Sequence, residues 1–600
     1  MKKIIYIILL ATVFTACTDF LTKVPETDLS PESYFRTEPE LELWTNRYYG
    51  LLTDEDDAAA VYDDCNYSTT NSSLQKGTRT SSSATWSWGN LRYINLLFEN
   101  SHKCIEKPVR VKYEGVAHFF RALFYFERVR QLGDVPYYDY VISSDDAASL
   151  NKPRDSRGYV MMKVLADLDS AAVKLPAAWS SQPIYHVSSY AALALKSRAA
   201  LFEGTFRKYH NIPDETVDGT VLSAEWFLNQ AADAAKKVMD SHKYSLYRKS
   251  DKNLDPSNPT PYREYFTLAS AETSETILSK RYEKDLNVTH SVQFNFTSTR
   301  QSATRRFVNH YLYADGTPIQ SKPGWETMSY KDMFTGRDPR LAQTIQAPGY
   351  KAEGASSAQP LNLSYTVSGY RVIKYICSDA KNQGSSSETD FPYLRYAEVL
   401  LNYAEAKAEL GELTNEDVQA TIDVIRTRAG IATLGSVPTT EDALLRTYYP
   451  NASGSQLGAI LEIRRERTVE LFAEGLRLYD LLRWKEGKWI TPATTSGFQG
   501  IYIPDLGEQD LDGNGTPDAY FYKGASRPSG INSSIPASNI IRIGTDLTLS
   551  NGNSGYLTYF GTESYIWNED KDYLWPIPLA QIQATKGALT QNPGYEDIPR

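Results

Sequence analysis

At Ile463–Trp484 the chain reads IRRERTVELFAEGLRLYDLLRW. Val469, Phe472, Leu476, Tyr479 and Leu482 recur at steps of three and four, the spacing of one helix face. Leu471, Leu478 and Leu481 widen that face, which predicts a single long helix buried on more than one side. The same stretch carries Arg464, Arg465, Glu466, Arg467, Glu470, Glu474, Arg477, Asp480 and Arg483. Arg467 with Glu470, and Glu474 with Arg477, are three apart and can pair along the helix. Two readings follow: a core helix with a paired, partly solvated edge, or a row of catalytic carboxylates. Alternating signs favour pairing.

Composition bounds the rest. At 600 residues the chain exceeds one hydrophobic core, so it needs several domains or one large composite fold. Hydrophobic residues at 41% and charged residues at 23% are ordinary for a globular protein. Tyrosine is over-used, with 42 Tyr against 21 Phe, and its ring with a polar tip suits wet binding surfaces. A net charge of −10 without a basic run argues against nucleic acid as partner.

The N-terminus reads as a signal peptide over 1–16: Lys2 and Lys3, then the apolar run Ile4–Phe14. Thr15-Ala16-Cys17 resembles a lipobox, making Cys17 a lipidation candidate and 17–32 a tether. Cys65, Cys104 and Cys377 are too few and too widely spaced for a disulfide framework or metal cluster.

Helical stripes then run through 33–242. Val116, Phe119, Leu123 and Phe126 form one, closed by Gly133 and Pro136; Met161, Leu165, Leu168 and Ala172 form the next. Ala192, Leu195, Ala199 and Phe202, then Leu228, Ala231, Ala235 and Val238, repeat the pattern. Small residues alternate with large ones, as in stacked helix pairs of tetratricopeptide (TPR) type. Residues 243–380 are rich in Ser, Thr, Asn, Tyr, Pro and Gly and read as a loop-rich insertion, with Val292–Phe296 as a possible strand. Helices return over 381–490, including Phe391–Leu410 and a helix opened by a Thr414/Asp417 capping box. A second loop-rich insertion spans 491–572, and 573–600 close the chain. The fold class is mainly α: a TPR-like helical-pair scaffold with large loop-rich insertions carrying a few short strands.

Six separated signatures, in order, resemble the SusD/RagB family of Bacteroidetes outer-membrane lipoproteins. They are Cys17 with Asp19-Phe20-Leu21 and Pro25; Phe119–Tyr125 with Gly133-Asp134-Val135-Pro136; Arg337–Leu341; Tyr393–Glu398 with Tyr403–Ala406; Arg464–Trp484; and Trp575-Pro576-Ile577-Pro578 with Gln591–Tyr595. The resemblance implies a lipid-anchored, outward-facing outer-membrane protein. Such a protein binds a nutrient oligo- or polysaccharide, or in some members a peptide, and passes it to a SusC-like TonB-dependent transporter without cleaving it.

A sugar ligand needs flat aromatic faces with a few polar groups beside them. Trp86 and Trp88, with Asn90, precede a helix in a Ser/Thr-rich stretch and are the first candidates; the alternative is that Trp88 packs under that helix. Trp325 is a loop candidate, followed by Tyr282, Tyr311 and Tyr313, while Trp484, Trp489 and Trp575 are assigned to packing. Asp510, Asp512, Asn514, Thr516 and Asp518 occupy calcium-loop positions around Gly515, although position twelve is Phe521 instead of Glu, so Ca²⁺ is a possible cofactor outside the EF-hand pattern. No G-x-S-x-G, H-E-x-x-H or C-x-x-C occurs, and the seven His are scattered, so an enzyme is not expected; an all-helical glycosidase is the catalytic alternative.

Overall fold

The structure, a computed structural model, describes residues 34–52, 65–66, 73–81, 86–248, 261–352, 355–377, 383–491, 498–544, 547–559 and 565–595. The signal peptide, Cys17 and its tether lie outside the described residues. Among the described residues, no helix is long and apolar enough to cross a membrane.

The N-terminal helices are α1 (Glu38–Asn46), α2 (Gly89–Asn100), α3 (Lys107–Leu132), α4 (Arg157–Lys174), α5 (Ser189–His210) and α6 (Ala224–Asp240). Their starts are local chemistry. Ser156, Ser188 and Ser223 accept hydrogen bonds from the backbone N–H of Tyr159, Ala191 and Trp226, satisfying donors that an uncapped helix leaves open. Gly133, at φ 72°, ends α3 as expected. Helices α3 to α6 pack each on the next, and α6 on α7 (Tyr396–Leu410). The inner stripes stay small: Ala192, Ala199, Ala231 and Ala235 are fully buried. At Gly204 of α5 a Cβ would lie 3.0 Å from the backbone nitrogen of Leu228 on α6, so glycine permits that helix approach. This is the expected helical-pair scaffold.

The capping box at Thr414 and Asp417 is present. The predicted helix from Phe391, however, begins only at Tyr396. Residues Phe391–Arg395 form strand β2, antiparallel to β1 (Thr276–Lys280), and the Tyr396 N–H donates to the Glu275 carbonyl at 2.9 Å. A partner strand takes the backbone groups that a helix would have used, and Pro392 is tolerated there. Val292–Asn295 is likewise one helical turn, not a strand.

The single long helix expected at Ile463–Trp484 is two. Helix α9 (Leu457–Glu470) follows α8 (Ile422–Ala429) and stops; after a turn, α10 (Arg477–Arg483) begins. Ala473 at φ 57° and Gly475 at φ 80° make the break. It is held from outside: Lys374 Nζ donates to the Phe472 carbonyl at 2.6 Å and Tyr375 OH to the Ala473 carbonyl at 2.9 Å. Among the described residues the longest helix is α3, with 26 residues.

Nor is the charged edge solvated: eight of its nine charged residues are buried. Arg483 pairs with Asp480 at 2.9 Å and Arg465 with Glu462 at 3.2 Å along the helix, but most partners are distant. Arg467 grips Asp480 at 3.1 Å, folding α10 back on α9. Glu474 accepts from Lys374 at 2.7 Å and Arg395 at 2.6 Å. Glu470 binds Arg340 at 3.0 Å, Arg395 at 2.8 Å and Arg428. Burial alone would raise the Glu470 carboxyl, but Arg428, Arg395 and Arg340 outweigh it and hold the group far below its ordinary range. Glu470 is thus a buried carboxylate held among three arginines, which favours the pairing reading of this helix.

The two loop-rich segments share one apolar core, in which Phe307, Tyr370 and Val372 of the first join Ile501, Phe521 and Leu557 of the second. The second contains two small sheets. In one, β3 (Phe498–Ile503) pairs with β8 (Gly555–Tyr559), which pairs with β7 (Leu547–Leu549); in the other, β5 (Ala519–Tyr522) lies between β4 (Gly507–Gln509) and β6 (Ile540–Arg542).

Candidate functional site

Trp86 and Trp88 stand edge to face, their rings 5.3 Å apart. Trp88 packs downward, 5.5 Å from Phe124 and 5.9 Å from Tyr138, against the N-terminal core. The Arg128 guanidinium donates to the Ser87 carbonyl between the two rings. Trp88 therefore serves as anchor, Trp86 is the half-buried outer ring, and Asn90 is exposed in the first turn of α2. Trp88 is a packing residue, though against Phe124 and Tyr138 and not beneath its own helix.

Trp325 sits on a separate core, in a short turn entered through Gly324 at φ 76°. Buried Arg305 donates to the carbonyls of Trp325 and Glu326 at 2.9 Å each. Its guanidinium lies 4.5 Å from the ring centre of Tyr556. Tyr556 on β8 faces Tyr502 on β3, in register and edge to face at 5.9 Å. One buried arginine thus ties the backbone of Trp325 to the Tyr556–Tyr502 ring pair, and these three half-buried aromatic residues make up an aromatic platform. Arg305, Tyr502 and Tyr556 escaped the sequence reading. Their signal was period two: Ile501-Tyr502-Ile503 alternates buried, half-buried, buried.

Tyr282, Tyr311 and Tyr313 do not join it. Tyr311 is fully buried against Phe307, Tyr282 is buried edge-on to His290, and Tyr313 is buried with its hydroxyl toward Met328 Sδ. The rings of Tyr282 and Tyr311 belong to the insertion core, and that of Tyr313 lies between Lys322 and Arg337. Trp484 is packed as expected, its indole N–H on Glu405 at 2.7 Å.

The Asp510–Asp518 loop is tightly turned. Asp510 accepts from the N–H groups of Gly513 at 2.8 Å and Gly515 at 2.7 Å, and Asn514 Oδ1 accepts from Thr516 N–H at 2.8 Å. Oxygens of Asp510, Asp512 and Asp518 lie within 4.8 Å of one another. Burial, and then Asp512 and Asp510, push the Asp518 carboxyl up to about 6, although the N–H groups of Leu511 and Asp512 oppose this. Phe521 is buried and is not a ligand.

Comparison with known proteins matches this architecture. A family profile described as "SusD family" covers residues 274–595, and a second, described as "Starch-binding associating with outer membrane", covers 58–201. SusD-like protein P2 of Formosa agariphila is 24% identical over 509 residues, covering 81% of this chain and 91% of that protein. A SusD-like protein of Bacteroides fragilis has the same fold, with a TM-score of 0.66, 22% identity, and coverage of 96% of this chain and 100% of that one. A SusD-like carbohydrate binding protein of the same organism gives a TM-score of 0.63 at 19% identity, covering 92% of this chain and 99% of that one. With a matching profile over more than half its length and a helical-pair scaffold to go with it, this chain belongs to the SusD family.

Proposed function

We propose that this chain binds a nutrient oligo- or polysaccharide at the outer-membrane surface and delivers it to a SusC-like TonB-dependent transporter, without cleaving it. In this reading Cys17 carries the lipid anchor. The observation that carries the proposal is the platform of Trp325, Tyr556 and Tyr502 braced by Arg305: half-buried rings with a polar rim suit the apolar face of a pyranose. Trp86 with Asn90 supplies a second aromatic face on the helical side. The descriptions of the matching profile and of the Bacteroides fragilis relative support a carbohydrate as the ligand class.

The test is retardation of the soluble chain in gels containing single polysaccharides, with product analysis alongside. Trp325→Ala with Tyr556→Ala is expected to weaken binding about tenfold or more, since each lost stacking contact costs roughly 0.5–1.5 kcal/mol. Unchanged retardation in that variant and in Trp86→Ala with Trp88→Ala would remove the aromatic surfaces from the function. Release of sugar product would instead make the chain a glycosidase.

We propose also that the Asp510–Asp518 loop holds Ca²⁺, with Asp510, Asp512, Asn514, Thr516 and Asp518 offering oxygen ligands. An ion at a hundred times its Kd stabilises the fold by about 2.7 kcal/mol. EDTA is therefore expected to lower the Tm of the wild type but not of Asp510→Asn with Asp512→Asn. Identical melting with Ca²⁺ and with EDTA sinks this idea.

A further inference from the structure

A cleft of about 540 Å³, sharing no lining residue with either aromatic group, lies where α5 ends and the segment after α10 begins. Its size is that of a small-ligand site. On a chain of net charge −10 its lining is rich in lysine: Lys208, Lys485 and Lys488, with Glu569 as the lining carboxylate.

The lysines are not equivalent. Lys208 is committed, donating to the Glu409 carboxylate at 2.6 Å and to its carbonyl at 3.0 Å. Lys485 and Lys488 make no salt bridge to a carboxylate among the described residues, although the charge of Lys488 is felt by Glu486. Lys485 is held in the left-handed region, φ 57°, while Asn451 Nδ2 donates to its carbonyl at 2.5 Å. Such backbone strain is kept where the surroundings enforce it. Asn451 also donates its N–H to Glu486 at 2.9 Å, so one asparagine clamps two consecutive residues of the wall.

Behind the lining Tyr209 lies a further cation. Arg464 is fully buried, 4.9 Å from the Tyr209 ring centre and 4.5 Å from that of Trp484. None of its guanidinium nitrogens has a hydrogen-bond partner, and its carboxylate neighbour Glu409 lies at 3.7 Å, engaged by Lys208 and Tyr209. A buried guanidinium without a hydrogen-bond acceptor is uncommon. Glu486, buried beside it, has one carboxylate oxygen bonded to Asn451 and the other unbonded.

We propose that this cleft is a second binding site, independent of the aromatic platform, which takes a small acidic sugar: a pyranose bearing a carboxylate. Lys485 and Lys488 receive the carboxylate. The amide of Asn211 and the hydroxyl of Ser453 line the wall for the ring hydroxyls, beside the segment that Asn451 clamps. A neutral sugar would leave both lysines unanswered, and a bare anion would leave the amide wall unused.

The experiment titrates glucuronate, methyl glucoside and inorganic sulfate into the soluble chain by calorimetry. Glucuronate is expected to bind at least about tenfold more tightly than methyl glucoside, and Lys485→Ala with Lys488→Ala to lose about tenfold of that affinity. Lys488→Gln, at an exposed position, serves if the double variant misfolds. Trp325→Ala with Tyr556→Ala should leave glucuronate binding unchanged, which separates this site from the aromatic platform. Equal affinity for glucuronate and methyl glucoside, or lysine variants that bind like the wild type, overturns the proposal. So does sulfate that competes as well as glucuronate binds, since that would mean an anion site without sugar recognition.

Discussion

Glu470→Ala is expected to destabilise the protein by about 3–5 kcal/mol, the cost of breaking a buried ion pair by removing one partner. Glu470 is fully buried and receives three arginines from three places: Arg340 in the first insertion, Arg395 on β2 and Arg428 on α8. Its loss takes one carboxylate from each of three buried guanidinium groups and leaves them to share Asp338, Glu466, Glu474 and Glu275. The carboxylate is also the joint between the helical scaffold and the insertion that carries the aromatic platform. Urea unfolding followed by circular dichroism measures the effect, with Glu412→Ala as control, because Glu412 pairs with Lys407 on the surface and should cost under about 1 kcal/mol. A Glu470→Ala midpoint matching that of the control would show that the network contributes nothing. The pH dependence has a definite sign. Glu470 and Glu466 have folded-state values below their ordinary 4.5, since their arginine partners outweigh the opposing effect of burial. Their contribution is thus complete above about pH 4.5 and is lost as the pH falls toward the folded values. Glu470→Ala should flatten that acid limb.

Gly500→Ala is expected to cost about 1–3 kcal/mol or more through overpacking. Gly500 lies on β3, and a Cβ there would meet the oxygen, carbon and Cα of Ser368 well inside van der Waals contact. All three are backbone atoms, so no side chain can swing aside. The neighbouring Ile501 N–H donates to the same Ser368 carbonyl at 2.8 Å, so the substitution pries apart the contact that joins the two loop-rich segments. Tyr502 is two residues along, and binding at the platform should weaken together with stability. Gly544→Ala is the control: its nearest neighbour would be 3.9 Å away, and a change within about 0.5 kcal/mol is expected. Equal stability of the two variants would show that the segments yield without strain.

The scaffold was legible because its cues are local. Serine caps, Gly133 and the alanine stripes act within a turn or two of themselves, and the helices of 107–240 match their expected bounds within a few residues. The aromatic surfaces were half legible. Trp86 and Trp325 sit in loops with visible turn chemistry, whereas Tyr502 and Tyr556 become neighbours only when β3 pairs with β8. Tyr282, Tyr311 and Tyr313 look alike in sequence whether they face solvent or one another.

For Ile463–Trp484 the sequence by itself established an apolar, charge-rich helical segment and its kinship with the SusD family. It could not establish where the charges go. Glu470 finds its partners 42, 75 and 130 residues away, and none lies within its own helix. Spacings of three and four describe what a helix could do alone in water. Once α8, α9, β2 and the insertion close around them, desolvation makes every unpaired charge costly, and bidentate arginines displace the weak neighbours along the helix. The break at Ala473–Gly475 follows from the same cause, because Glu474 with Lys374 and Arg395, and Arg467 with Asp480, are joined on its two sides.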